Sequence, residues 1–216
     1  MGPENGNLPE VEKIYTFSQW ATANYHIDQS FRINHVIDVG ANTGQFAESL
    51  FDFGYKNKVI SFEPVQSCYD QLLKRSSRYE NWIVGEKCAI GDTDGVAAIN
   101  VTDDTVFSSL LNVESWHAKL KPRSRIVRKE ETKVCKLDSI IDDYIDPHEG
   151  SRILLKIDTQ GYEKQVLDGA GKLIKKITGI KIEIPLVPLY EDVQYNFYEL
   201  IDYLRHHGFN PYSFNI

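Results

Sequence analysis

Short, mostly apolar runs alternate along this chain with segments whose apolar residues fall three or four apart. Val36 to Val39, Lys58 to Phe62, Ile153 to Asp158 and Ile180 to Ile184 are the runs, each with the length and β-branched content of a strand. The near-continuous apolar character of Ile153-Leu154-Leu155-Lys156-Ile157 predicts a strand covered on both faces. Helical spacing follows three of these runs: about Thr43 to Phe53, with Phe46, Ala47, Leu50 and Phe51 inward; about Val65 to Ser76; and Gly161 to Leu173. Tyr195 to His206 reads as a further amphipathic helix, closed by Gly208. This β-α alternation with short turns predicts an α/β fold, a mostly parallel sheet with helices on both faces.

The alternation changes after a third strand at about Trp82 to Cys88. Val96 to Thr102 and Ile126 to Cys135 have strand character, and the irregular stretch between them holds Ser108-Ser109 and Trp116-His117. An insertion of antiparallel character is expected there. Leu137 starts another helix, with Asp138 or Ser139 near its cap. Pro9 to Tyr25 is expected to form a leading helix, so that residues 1–34 read as an extension and 35–216 as the domain proper. The last strand, Pro211 to Ile216, stops without a polar tail. We expect it to lack a hairpin partner, as a truncated chain would.

Composition narrows the class. With 216 residues and no Pro/Gly/Ser-rich linker, a single domain is expected. A net charge of −7 weighs against wrapping nucleic acid, and the one basic concentration, Lys119 to Lys133, is interrupted by Glu130 and Glu131. Its plain reading is a solvated loop and strand edge; its functional reading is a site for an anionic substrate. The three cysteines form no C-x-x-C pair and leave one unpaired in any disulfide scheme, which suggests a reducing, cytoplasmic compartment. Neither a membrane-spanning apolar run nor a signal peptide is legible, so no membrane partner is expected, and a homodimer stays open.

The chemistry concentrates in His35-Val36-Ile37-Asp38-Val39-Gly40-Ala41-Asn42-Thr43-Gly44 and, at the end of the next strand, Ser61-Phe62-Glu63-Pro64. A strand ending in a glycine turn that opens a helix, with a carboxylate on the following strand, is a nucleotide-type cofactor site. A dinucleotide site places a second glycine where Asn42 stands, because backbone must approach a pyrophosphate closely. No Gly-Lys-Ser/Thr follows to make a P-loop. Asp38 on the strand suits a cationic ligand, and Glu63 suits two ribose hydroxyls. The combination points to S-adenosylmethionine, held by Asp38, Gly40, Ala41, Asn42, Gly44 and Glu63.

In order along the chain, Val36 to Gly44, Phe62-Glu63-Pro64, Ala89-Ile90-Gly91-Asp92, Ser108-Ser109, Leu137-Asp138 and Lys156-Ile157-Asp158-Thr159-Gln160-Gly161-Tyr162-Glu163 resemble the FkbM-type S-adenosylmethionine-dependent methyltransferases. The resemblance spans roughly residues 35 to 210. It implies a Rossmann-like class I methyltransferase fold, a cofactor contact at Ala89, after strand three where class I enzymes contact adenine, against plain packing, and O-methylation of a hydroxyl of a sugar, polyketide or other small molecule. That family commonly has an acidic residue where this chain has Gln160, so no catalytic role is given to that position. Its C-terminal strand pair is expected to be incomplete here.

Asp158, at the end of a buried strand, is the leading candidate for orienting the acceptor or taking its proton; its alternative role is a helix cap. His117 in the insertion is the second candidate for catalysis, against a plain surface histidine. Ser108 and Ser109 are candidates for lining the acceptor pocket. Glu163 reads as a first-turn residue complementing a helix dipole, and Lys156 as a side chain snorkelling from its strand. A divalent ion on carboxylates at the ends of two strands, Asp158 and Glu183, is allowed but not favoured. The other readings are a cofactor-binding module that has lost catalysis and an NAD(P)-dependent oxidoreductase, the latter opposed by Asn42. A nucleic-acid base N-methyltransferase would carry Asn/Asp-Pro-Pro-aromatic where this chain has Asp158-Thr159-Gln160-Gly161.

Overall fold

The computed structural model describes residues 14–17, 31–146 and 150–214. Strand β1 (Ile14–Phe17) is followed by β2 (His35–Val39), helix α1 (Gln45–Asp52), β3 (Lys58–Phe62), α2 (Gln66–Ser76) and β4 (Trp82–Val84). Next come β5 (Cys88–Ile90), β6 (Gly95–Thr102), α3 (Ser115–Leu120), β7 (Ile126–Cys135) and the single turn α4 (Leu137–Ile140). The chain then forms β8 (Ile153–Ile157), α5 (Glu163–Gly169), β9 (Ile177–Ile182), α6 (Phe197–His206) and β10 (Asn210–Phe214).

Seven strands make one sheet in the order β10-β1-β9-β8-β2-β3-β4, and every pairing in it is parallel. The alternating side chains of β2, β3 and β8 divide between two cores. Ile37, Val39, Ile60, Phe62, Leu155 and Ile157 pack with α4, α5 and α6 on one face. Val36, Val59 and Leu154 pack with Ala47 and Leu50 of α1 and Leu72 of α2 on the other. Covering both faces explains why these strands read as almost unbroken apolar runs. The sheet order reverses at β2, between β3 and β8, and that switch point is where an open α/β sheet leaves a crevice at its carboxyl edge.

A second, three-stranded sheet holds β5, β7 and β6, with β6 antiparallel and β5 parallel to β7. This is the insertion expected after the third strand. The expected strand Trp82 to Cys88 is instead two strands in two sheets. It breaks at Gly85, whose N–H donates to Ser61 O and whose missing Cβ leaves room for the Phe62 ring.

At the chain ends one expectation changes. Residues 14–17 of the expected leading helix are a strand, with β9 on one side and β10 on the other, while the remainder of that helix lies outside the described residues. An Ile-Tyr-Thr-Phe run favours extended backbone, and the strand edges beside it supply hydrogen bonds a surface helix would not need. The N-terminal extension thus contributes to the domain's own sheet. β10 lies at the edge of the sheet with β1 as its parallel neighbour and, among the described residues, has no hairpin partner, as expected for the C-terminal strand.

The cap expected at Asp138 or Ser139 is not there: Lys136 is the N-cap of α4. The Asp138 carboxylate instead accepts from the N–H groups of Lys172 and Leu173 at 3.1 and 3.2 Å, capping a later helical turn. Among the described residues no helix is long and apolar enough to cross a membrane.

Candidate active site

A cavity of about 580 Å³ opens at the carboxyl edge of the sheet, where β2, β3, β8 and β9 deliver Gly40, Glu63, Asp158 and Glu183. Cys88, Ala89 and Ile90 of β5 form one apolar wall with Ile99, and Val106 to Leu110 form a roof. Gly40, Ala41, Asn42, Glu63, Ala89, Ser108, Ser109 and Asp158 all line it, though they come from five separate parts of the chain.

The turn from β2 into α1 holds three residues in the left-handed region: Gly40, Asn42 and Gly44, with φ of 73°, 49° and 91°. A Cβ on Gly40 would lie 2.0 Å from the Asp158 carbonyl oxygen, so only glycine lets the ends of β2 and β8 meet. Gly44 faces away from the cavity, where a Cβ would meet Trp82 and Leu72, and so serves packing rather than cofactor contact. Asn42 tolerates positive φ. Its side chain accepts from Thr43 N at 2.8 Å and donates to Thr105 Oγ1 at 3.2 Å, tying turn to roof.

Every backbone N–H of this turn is already bonded within the protein. Gly40 and Ala41 donate to Phe62 O, Asn42 to Glu63 Oε2, Thr43 to Asn42 Oδ1, and Gly44 to Ala41 O. None of these five amides is left to cradle a phosphate. Glu63 also accepts Val65 N at 2.8 Å through its other oxygen, which fixes the carboxylate at the cavity wall. Burial pushes its pKa up to about 7, against the pull of the Val65 and Asn42 N–H groups and the Lys156 ammonium.

Beneath the cavity a polar row crosses the sheet. Ser61, Asp38, Lys156 and Lys181 are register partners on β3, β2, β8 and β9. Trp82 Nε1 donates to Ser61 Oγ, and Ser61 Oγ to Asp38 Oδ2, at 3.0 and 3.2 Å. Lys156 Nζ lies 3.0 Å from Asp38 Oδ1, donates to Gly40 O at 2.9 Å and stands 3.6 Å from Asp158 Oδ2. Burial works to lower the Lys156 pKa, yet Asp38 and then Asp158 hold it above the ordinary lysine range.

Lys156 therefore does not snorkel. It is a buried counter-ion for Asp38 and a strut under the glycine turn. Asp38 in turn does not line the cavity; it acts on the turn through Lys156. Lys181, pushed down to about 8 by burial and by Lys156, lines the cavity floor. Asp158 and Glu183 thus sit among ammonium groups, an arrangement that competes with a divalent ion.

Asp158 caps no helix. Gln160 Nε2 donates to its Oδ1 at 2.7 Å, and Gln160 Oε1 lies 2.9 Å from the Tyr190 hydroxyl. The loop from 158 to 162 turns through Gln160 and Gly161, with φ of 57° and 99°. Glu163, expected to do no more than complement a helix dipole, organises that loop. Its carboxylate accepts from Thr159 N and Gly161 N at 3.1 and 2.9 Å and from the Tyr195 hydroxyl. Ser109 stitches the roof down, donating to Gln160 O at 2.7 Å and accepting Leu111 N at 3.0 Å. Ser108 bonds Thr102 N and Oγ1, so both hydroxyls hold the roof in place.

His117 lies on α3, buried behind the roof between Phe107 and Tyr190, with ring centroids at 5.6 and 6.3 Å. It does not line the cavity. Neither the surface nor the reach of a base over the pocket describes its place, because Phe107 stands between.

A family model described as the methyltransferase FkbM domain matches residues 38–211. The chain belongs to this family. It is a methyltransferase, and no curated protein otherwise matches it. The match begins at Asp38 and ends at Pro211, so every cavity residue of this FkbM methyltransferase falls inside it, while β1 falls outside. Lys181, Gln160 and Glu163 are the site residues that patterning along the chain did not reveal. A charge within an apolar strand was the available signal for Lys156 and Lys181, since such a charge is rarely buried unpaired.

Proposed function

We propose that this methyltransferase takes its methyl group from S-adenosylmethionine and delivers it to a hydroxyl of a small molecule or sugar. The observation that carries the reading is the inward-bonded glycine turn facing the Glu63 carboxylate. A pyrophosphate cofactor needs free amides, and a nucleoside with two ribose hydroxyls needs an acceptor. The turn offers none of the former and Glu63 offers the latter. The apolar wall of Ala89, Ile90 and Ile99 suits the flat face of a base. Three carboxylates line the cavity, Glu63, Asp158 and Glu183, and offer partners to a ligand bearing a sulfonium and an ammonium.

When bound, the cofactor supplies an activated methyl group for in-line displacement. The chain's own residues align the acceptor and shield it from water. Asp158, held by Gln160, lines the cavity, where it would accept a hydrogen bond from the acceptor hydroxyl and orient its oxygen. The roof from Val106 to Leu110 closes the space above it. The three free cysteines agree with a reducing, cytoplasmic setting.

A screen for transfer of radiolabelled methyl from S-adenosylmethionine to glycans, polyketides and phenols tests the reading. Label in one acceptor class, lowered about 100-fold by Asp158→Ala, is the expected result. Cofactor binding with no acceptor labelled would instead favour a binding module.

A further inference from the structure

At the apolar wall of the cavity, which Cys88 helps to form, three donor atoms converge from three places. Glu86 lies in the connection between the two sheets, Cys88 on β5 and Cys135 on β7. Their ligand atoms all lie within 4.8 Å of one another. Cys135 Sγ stands 3.6 Å from Glu86 Oε1, to which it donates a hydrogen bond. Both cysteines are buried, whereas the Glu86 side chain is 38% exposed, so the cluster has one wet side.

We infer that Glu86, Cys88 and Cys135 form a binding site for one thiophilic divalent ion of the Zn²⁺ type. Zinc–sulfur and zinc–oxygen bonds of about 2.3 and 2.0–2.2 Å set donor-to-donor separations in a tetrahedron of about 3.4–3.8 Å. The donors, now within 4.8 Å of one another, thus need to close up by at most about 1.4 Å, through side-chain rotation. Two thiols and a carboxylate select a soft or borderline ion over Mg²⁺ or Ca²⁺. The fourth position faces the wet side and takes water.

The place already holds a cation. Lys133 Nζ lies 2.8 Å from both Glu86 oxygens, with its side chain 53% exposed. An ion pair that exposed is weak, so a metal displaces the ammonium from the carboxylate at little cost. Two thiolates and a carboxylate around a divalent ion carry one net negative charge, and the displaced Lys133 remains beside them to balance it. Binding is a simple exchange: two thiols lose their protons to solvent and two metal–sulfur bonds form, with no change of oxidation state. Because each thiol gives up its proton on binding, the exchange strengthens as pH rises. The ion would pin the sheet-to-sheet connection to β5 and β7, and β5 is the wall that includes Ala89 and Ile90. This site stands whether or not the cofactor reading does.

The test is titration of the reduced full-length chain with Co²⁺, followed by displacement with Zn²⁺ and a parallel titration with Mg²⁺. Expected are a saturable thiolate-to-cobalt charge-transfer band at one ion per chain, two protons released per ion in weakly buffered solution, loss of the band on Zn²⁺ addition, and no response to Mg²⁺. Cys88→Ser and Cys135→Ser each lower affinity at least about 100-fold and Glu86→Gln about 10-fold. Cys68→Ser, altering the third cysteine, leaves it unchanged. No charge-transfer band in the folded wild type, or a band that survives both cysteine substitutions, would overturn the site. The wild-type stoichiometry and proton count decide the matter even if a variant fails to fold.

Discussion

Glu63 is the residue on which the donor site turns, and its titration gives a signed prediction. Folded, it keeps its proton to about pH 7, whereas the ordinary carboxyl loses it near 4.5. Between those values the folded chain binds more protons than the unfolded one, so this residue's contribution to stability falls as pH rises through the window. Ligand binding runs the other way, since the ionised carboxylate is the stronger acceptor for ribose hydroxyls. Affinity for S-adenosylhomocysteine, measured by calorimetry, therefore rises from pH 6 to pH 8 and levels off; Glu63→Gln is weaker throughout and flat with pH. Lys156 gives a second prediction. Lys156→Met leaves Asp38 buried without its counter-ion, which costs about 3–5 kcal/mol in denaturant unfolding at neutral pH. An unchanged midpoint would mean that the row across the sheet is not an ion pair that matters. Glu63 was legible in the sequence because it ends a strand beside a glycine turn. Lys181 was not, because its meaning depends on lying opposite Lys156 in a register that only the folded sheet defines.

Among the elements, β2, β3, α1 and α2 were legible nearly to the residue, since each is a short run with one strong periodicity. The insertion was legible as strands but not as architecture. Nothing along the chain indicates that Ser109 bonds the carbonyl of residue 160, or that Tyr190 reaches both Gln160 and the roof at Phe107. Those contacts join segments 30 to 83 residues apart, beyond the reach of local pattern. The roof and the Asp158 loop therefore act as one stitched unit. Ser109→Ala removes the stitch and leaves the Gln160 carbonyl and the Leu111 N–H each without this partner. Amide exchange in Phe107 to Leu111 and Thr159 to Gly161 is expected to quicken together, with about 1–3 kcal/mol lost locally. Faster exchange in only one of the two segments would show that they are not coupled.

At the scale of the molecule, the parallel sheet with helices on both faces follows from the βα alternation, and the family match over residues 38–211 agrees with it. What the alternation could not supply was the partner of the last strand. β1 comes from the far end of the chain, and a four-residue strand carries too little periodicity to outweigh its helical-looking surroundings. Since β1 pairs with both β9 and β10, a chain lacking residues 1–30 leaves two strand edges bare. It is expected to melt at lower temperature and to aggregate more readily than the full chain. Equal melting temperatures would mean that β1 adds no stability.

The central claim is that the crevice between the inward-bonded glycine turn and Glu63 is a donor site for S-adenosylmethionine. Isothermal titration of the full chain with S-adenosylmethionine, S-adenosylhomocysteine and NAD tests it most directly. The account predicts one site per chain for the first two, weakened by Glu63→Gln, and no heat of binding with NAD; binding of NAD alone would contradict it.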